Sequence, residues 1–297
     1  MLGVSVVIPC YNAAKFIRET LDSVLAQDYD GPLEVLVGDD GSTDGSVEIV
    51  ASFGPPVRLL VKTPHEERSA SHARNRCLRA ASQPFVAFLD ADDLWLPGHL
   101  APLAETLTAR PQLGLVYDKG YYVTADDRIL APIFAEPHRP RVTADELLVE
   151  NCIATGNVMV RREVFARVGV FDENLRHAED HDMWLRVLEA FPAEYIPVFG
   201  FKYRMHEGQK SLKPALWTNA AKVLSNACRR YPYRWSSIRR RKAVLAYRSS
   251  QIAIHDRQLI RAACFLMKAG MLDPWRAVRE IAARFQAPRK GMPSDLK

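Results

Sequence analysis

The sequence predicts an α/β fold, a mainly parallel sheet flanked by helices and followed by an α-helical C-terminal region. Short apolar runs alternate with helical periods through about residue 112. Polar or acidic turns follow directly on three of those runs, and beyond Pro214 the periodicity is helical almost to the end.

Val4–Ile8 reads as the first strand and precedes a helical period at Ala14, Ile17, Leu21, Val24 and Leu25. Leu33–Val37 leads to a helix carrying Val47 and Val50, and Val57–Val61 leads to one carrying Leu78. Pro84–Leu89 closes the series, and Pro97 suits the first turn of the next helix. This alternation implies βαβ units, whose ligands sit beyond the carboxyl ends of the strands. Pro9–Asn12, Asp39–Asp44 and Asp90–Asp93 are therefore expected along one crevice.

From Leu113 the pattern changes. Leu113–Tyr117 and Tyr121–Leu130 read as strands, the second turning as a hairpin at Asp126-Asp127. Phe134–Arg141 is a proline-rich loop, Asp180–Ala190 a helix with Met183, Val187 and Ala190 on one face, and Tyr195–Tyr203 a strand. The closing helices break near Pro232 and Gly270–Pro274.

A length of 297 residues suggests two domains at roughly 150 residues each. The composition, 48% hydrophobic and 25% charged, excludes disorder and low complexity. No apolar run approaches the ~20 residues of a membrane-spanning helix, and no basic segment precedes an apolar stretch as in a signal peptide. The five cysteines are scattered without a Cys-x-x-Cys pair, which speaks against a zinc ribbon or disulfide framework and for free thiols in the cytoplasm. Charge is split along the chain. Residues 1–221 hold 22 basic against 31 acidic side chains, and 222–297 hold 18 against 4. Such a basic tail suggests contact with a polyanion or with the inner face of an anionic membrane, Arg239-Arg240-Arg241-Lys242 being its densest patch; a solvated face balancing the acidic body explains it equally well.

Three acidic clusters could carry chemistry. Asp39-Asp40-Gly41-Ser42-Thr43-Asp44 supplies a helix cap, yet capping does not require two carboxylates at the strand's end, and one could accept from a base N–H or a ribose hydroxyl. A calcium loop fails because its twelfth position is Ala51. Asp90-Ala91-Asp92-Asp93 crowds three carboxylates that repel one another unless a cation sits among them. His177-Ala178-Glu179-Asp180-His181-Asp182 opens a helix; zinc is disfavoured for want of a third ligand, and either Glu179 or Asp180 could be a general base rather than a dipole partner. Arg74 could meet phosphate or base, and His206 could add an imidazole to the cation. The dinucleotide, phosphate-loop and hydrolase-elbow signatures are all absent.

With these residues in order, the chain resembles the family 2 glycosyltransferases, which have a GT-A fold. The resemblance spans Val4 to about residue 210 and rests on Val-Ser-Val-Val-Ile-Pro-Cys-Tyr-Asn (4–12), Gly-Asp-Asp-Gly-Ser-Thr-Asp (38–44), Ala-Arg-Asn-Arg (73–76), Phe-Leu-Asp-Ala-Asp-Asp (88–93) and Glu-Asp-His-Asp-Met-Trp-Leu-Arg (179–186). It departs at Cys77, where family members commonly have glycine. The resemblance implies a catalytic domain over 1–213, with a nucleotide-binding half (1–112) and an acceptor half (113–213), then a basic helical region over 214–297. It implies that Pro9, Tyr11 and Asp40 hold base and ribose with Arg74 assisting, and that Asp90 faces ribose or sugar. Asp92 and His206 would hold Mn²⁺ or Mg²⁺, Asp180 would be the catalytic base, and Glu179 and Trp184 would meet the acceptor. The implied reaction is inverting transfer from a nucleotide-diphosphate sugar to a hydroxyl of a glycan or lipid-linked acceptor, in surface-polysaccharide or glycoconjugate synthesis. Two alternatives stand beside it. A metal-dependent nucleotidyltransferase would need a Gly-rich, Lys-containing N-terminal loop that is missing. A non-catalytic nucleotide-sugar or polyanion binder is disfavoured for nucleic acid, since the tail has few aromatics arranged for stacking and the acidic body repels phosphate.

Overall fold

Val4–Cys10 (β1) is buried at every residue but Pro9, as a strand covered on both faces requires. The computed structural model describes residues 1–134, 139–206 and 215–276. After β1 come α1 (Ile17–Leu25), β2 (Leu33–Asp39), α2 (Ser46–Ala51), β3 (Val57–Val61), α3 (Ala70–Ala80) and β4 (Phe85–Phe88). β1 pairs in parallel with β2 and β4, and β2 in parallel with β3, so the carboxyl ends of these strands lie along one edge. The series is the one the apolar runs predict. Core side chains such as Ile8, Leu36 and Phe88 are fully buried, each worth ~1.5–3 kcal/mol.

The second half departs from a mainly parallel sheet. It contains β5 (Leu94–Trp95), α4 (Leu100–Ala109), β6 (Leu115–Thr124), β7 (Ile129–Pro132), α5 (Ala144–Val149), β8 (Val158–Arg161), α6 (Val164–Val168), α7 (Glu179–Ala190) and β9 (Ala193–Met205). The strand order is β3-β2-β1-β4-β8-β6-β9-β5, with β7 on β6. β8 runs antiparallel to both β4 and β6, β5 antiparallel to β9, and only β6 and β9 are parallel there, so the sheet as a whole is mixed. The two runs expected as separate strands around residues 113–130 merge into β6, and the hairpin to β7 turns where Asp127 takes φ 64°. Half of the proline-rich loop, residues 135–138, lies outside the described residues.

Two compact units emerge: Met1–Thr143 with Cys152–His206, and Ala144–Asn151 with the C-terminal helices. The second contains α8 (Ala215–Arg230), α9 (Trp235–His255) and α10 (Leu259–Leu272). Its first break falls around Pro232 as expected. The break expected near Gly270–Pro274 falls at Asp273, after α10 ends at Leu272, and a further break, not predicted from the sequence, falls at Arg257, in a left-handed conformation of φ 58°. The run Arg239–Lys242 is not one solvated patch. Arg241 is buried, donates to the Val149 carbonyl at 3.2 Å, and burial pulls its pKa down to about 10. Arg239 donates to the Leu272 carbonyl and lies over the Trp235 ring, leaving Arg240 and Lys242 exposed. No described helix is long and apolar enough to cross a membrane.

Candidate active site

The tips of β1 and β2 are stitched together by short polar side chains. Asn12 donates its backbone N–H to Ser42 Oγ (3.0 Å) and accepts from Thr43 N at Oδ1 (2.9 Å). Asp39 accepts from the N–H groups of Gly41 (2.9 Å) and Ser42 (3.1 Å), and Asp44 from those of Ala14 (2.9 Å) and Ser46 (3.1 Å). Those bonds, with the Ser46 hydroxyl, outweigh desolvation and hold the Asp44 carboxyl below its ordinary value. Asp40, at the same tip, is 4% exposed, and its N–H donates to the Cys10 carbonyl. Tyr11 projects outward at 41% exposure, with the Arg68 guanidinium 4.4 Å from its ring centroid.

The turn after β4 is fastened from three sides. The Thr20 hydroxyl in α1 lies 3.0 Å from the Ala91 carbonyl and 2.9 Å from that of Asp93, sharing its one proton between them, and the buried Asp93 accepts the N–H of Arg204 in β9 (2.8 Å). Asp92 meets His206 Nε2 at 2.8 Å, both side chains partly open to solvent. Burial pushes the Asp90 carboxyl up against the opposing pull of Arg74, and burial with the Asp92 and Asp90 charges pushes Asp93 well up.

Successive α3 residues lie about 100° apart around the helix, so Arg74, Asn75 and Arg76 reach three different places. Arg74, nearly fully buried, donates to Glu179 Oε1 (2.8 Å) and Asp90 Oδ1 (2.6 Å), joining the β4 tip to the start of α7. Asn75 donates to the Phe171 carbonyl and accepts its N–H, both at 2.9 Å, which holds the segment entering α7. Arg76 donates to the Asp39 carbonyl (3.0 Å) and to Glu66 (2.9 Å). Cys77 behind them lies against Gly38, where an added Cβ would come within 2.9 Å of Sγ and 2.7 Å of the Ala73 carbonyl; α3 thus approaches β2 across a glycine that leaves room for the thiol. α7 begins after Ala178 in a left-handed conformation of φ 58°, and its first turn carries Glu179, Asp180 and Asp182, the sign that complements the helix dipole. Burial first, then the Glu179 charge, pushes the Asp180 carboxyl up to about 6.

Acidic strand tips, the Arg74 bridge and the helix-start acids thus share one catalytic-looking unit, and comparison with known proteins decides which. The sequence profile of glycosyl transferase family 2 matches residues 5–169, more than half of the chain. The chain belongs to that family. Over 188 residues it is 33% identical to the putative teichuronic acid biosynthesis glycosyltransferase TuaG of Bacillus subtilis, covering 63% of this chain and 72% of that protein. It is 32% identical over 187 residues to WfgD of Escherichia coli, a UDP-Glc:α-D-GlcNAc-diphosphoundecaprenol β-1,3-glucosyltransferase, covering 63% and 70%. Across glycosyltransferases of Rickettsia species the match takes in between 34% and 72% of the relative's length. Among solved structures, Staphylococcus aureus TarS 1–349 with UDP-GlcNAc superposes at TM-score 0.68 and 19% identity, covering 99% of this chain and 95% of that one. The mannosyltransferase PcManGT of Pyrobaculum calidifontis, with GDP-Man and Mn²⁺, superposes at 0.63 and 24% identity, covering 95% and 79%. The fold is therefore that of the GT-A glycosyltransferases, with a mixed sheet and a C-terminal helical region.

Of the residues the family resemblance names, Asp90, Arg74 and Glu179 are in direct contact, Asp180 adjoins Glu179, and Asp92 contacts His206. Pro9, Tyr11 and Asp40 sit at the β1 and β2 tips. Trp184 does not join them. It is fully buried and packs edge-on to Phe88 and Phe171 at ring distances of 5.6 and 6.0 Å, a core position that leaves no surface for an acceptor. Arg74 is likewise committed to two carboxylates rather than open to a base or phosphate. For a divalent cation the fit is adequate: the carboxylate oxygen of Asp92 suits Mn²⁺ or Mg²⁺, while the softer imidazole nitrogen of His206 suits Mn²⁺ better than Mg²⁺. Among the described residues no cluster of three or more candidate ligands occurs, so the only protein ligands on offer at this tip are Asp92 and His206. Sequence reasoning missed Thr20 and Asn75. Thr20 is a polar residue on the apolar face of Ile17, Leu21 and Val24, a signal that was available; Asn75 lay inside the quoted Arg-Asn-Arg run.

Proposed function

We propose that the chain is an inverting, metal-dependent glycosyltransferase of the cytoplasm that moves a sugar from a nucleotide-diphosphate sugar to an acceptor hydroxyl, in the building of a cell-surface polysaccharide or glycoconjugate. The observation that carries this reading is the Arg74 fork between Asp90 and Glu179, which ties the β4 tip to the α7 acids. In this reading Pro9, Tyr11 and Asp40 hold base and ribose, Asp90 faces ribose or sugar, and Asp92 with His206 holds Mn²⁺ or Mg²⁺. The cation, when bound, supplies positive charge opposite the departing nucleotide diphosphate. Arg74 acts by fixing Asp90 and Glu179 rather than by touching the nucleotide. Asp180 accepts the hydroxyl proton as the acceptor oxygen bonds to the anomeric carbon and the carbon–phosphate-oxygen bond breaks on the opposite face, which inverts the centre. A carboxyl raised to about 6 is ionised at neutral pH yet basic enough to share that proton. The names of TuaG and WfgD support a glycan or lipid-linked acceptor and a hexosyl donor.

The test is a thermal-shift series with UDP, GDP, CDP and ADP and their sugars, with and without Mn²⁺. Ligands that bind only the native state raise the melting temperature. A rise with one nucleotide diphosphate that grows with Mn²⁺ is expected; no rise with any of them contradicts the reading.

A further inference from the structure

The C-terminal unit contains a helix packed inside out. α10 turns its small residues to its neighbours: Ala262 and Ala269, seven apart on one face, are 3% and 7% exposed. At about 100° per residue, Ile260, Cys264, Met267 and Met271 fall within about 40° of the opposite pole. That pole faces solvent, with Ile260 at 84%, Met267 at 62% and Met271 at 77% exposure, and Cys264 exposed as well. Large apolar side chains outward and alanines inward reverse the usual arrangement of a surface helix, whose apolar stripe faces the core. Exposed apolar surface of this kind marks a contact site.

Two further features of the same unit say what the contact is. Trp235 and Trp275 are 75% and 80% exposed, at the start of α9 and just past the end of α10, two ends that the bond from Arg239 to the Leu272 carbonyl brings together. Along the flank of the stripe Arg261 and Lys268 are exposed, within a region of 18 basic and 4 acidic residues. An apolar stripe, a basic flank and exposed indoles in the same helical unit are the makings of a helix lying in the headgroup plane of an anionic bilayer.

We infer that the exposed pole of α10, with Trp235 and Trp275, is a docking face for an anionic phospholipid surface. The stripe seats at the boundary between headgroups and acyl chains, the cationic flank meets lipid phosphates, and the run 239–242 contributes only through Arg240 and Lys242. This inference does not depend on the reaction proposed above.

The test is co-sedimentation of the full chain with vesicles of phosphatidylglycerol and phosphatidylcholine, beside pure phosphatidylcholine. Binding to the mixed vesicles is expected, at least fivefold weaker on phosphatidylcholine alone. Met267→Glu/Met271→Glu should weaken it at least tenfold with the melting temperature and nucleotide affinity unchanged, and Arg261→Gln/Lys268→Gln should weaken it less and flatten its salt dependence. A readout independent of those variants' folding is the blue shift of tryptophan emission on adding vesicles, which should shrink in Trp275→Phe. Failure of the wild type to bind, or Met267→Glu/Met271→Glu binding as the wild type does, overturns the inference. So does sedimentation velocity showing a wild-type dimer that this pair of substitutions splits, because a second copy would then own the face.

Discussion

β2 and β4 flank the same strand and both end in clustered acids, yet the two clusters live in opposite surroundings. At the β2 tip, Asp39 and Asp44 are met by backbone N–H groups of Gly41, Ser42, Ala14 and Ser46, and Asp44 is held more acidic than usual. Around the β4 tip and the start of α7, Asp90, Asp93 and Asp180 are all pushed the other way, by burial first and then by the charge of neighbouring carboxylates. Carboxylates held low by backbone donors shape a loop; carboxylates raised by burial and neighbouring charge favour a proton. The comparison separates acids bound into a loop from the acids that the proposed reaction uses, although both lie in the motifs of the family.

The largest expected effect comes from removing the cation that serves the second group. Arg74→Ala strands Asp90 and Glu179 and should cost ~3 kcal/mol in chemical denaturation, and Arg74→Lys should recover only part because an ammonium cannot fork between two carboxylates. Next, Asp92→Asn should lower nucleotide-diphosphate affinity about tenfold in Mn²⁺ and hardly at all without it, as titration calorimetry would read; equal losses in both conditions would place Asp92 among the scaffolding acids. At the β2 tip, Asp44→Ala should cost ~1 kcal/mol of stability, like the loss of a helix cap, with catalysis nearly intact once folded. The smallest effect is Ala178→Gly, which relieves a left-handed alanine and should raise stability by no more than about 1 kcal/mol.

The pH dependence sharpens the same contrast. Asp180 binds its proton more tightly folded than unfolded, since about 6 lies above the ordinary ~3.9 of an aspartate. Its stabilising contribution is full below ~4 and is lost as pH rises through about 6, while turnover should rise through that window as the base ionises. Asp44, with its lowered value, works in the opposite sense: its contribution is present above the ordinary aspartate value and is lost as pH falls through its folded one. A pH–rate profile with no limb near 6 would remove Asp180 from the reacting group.

Much of this was legible in the sequence. The parallel half reads straight from β-branched runs ending in polar turns, because strands buried on both faces must be continuously apolar. The antiparallel half did not read as well. β5 is two residues and β8 four, too short to show a period, and their pairing with β9, β4 and β6 is set by tertiary contact. In the site, Asp39 and Asp40 are indistinguishable by type, and only the placement of N–H donors separates them. Trp184 looked available because its motif opens at the crevice, but five residues along a helix from Glu179 is more than one turn, and its ring turns to Phe88. The basic run 239–242 misled because consecutive residues on a helix face all sides, one of which is here the α5 contact that buries Arg241.

The division of labour between the acids is tested most directly by Asp180→Asn, measured for glycosyl transfer and for nucleotide affinity in the same preparation. Turnover should fall by about 10²-fold or more, the scale of a lost general base, with the dissociation constant of the nucleotide diphosphate within about twofold of wild type. Transfer at near wild-type rate, or affinity lost in step with rate, would contradict it.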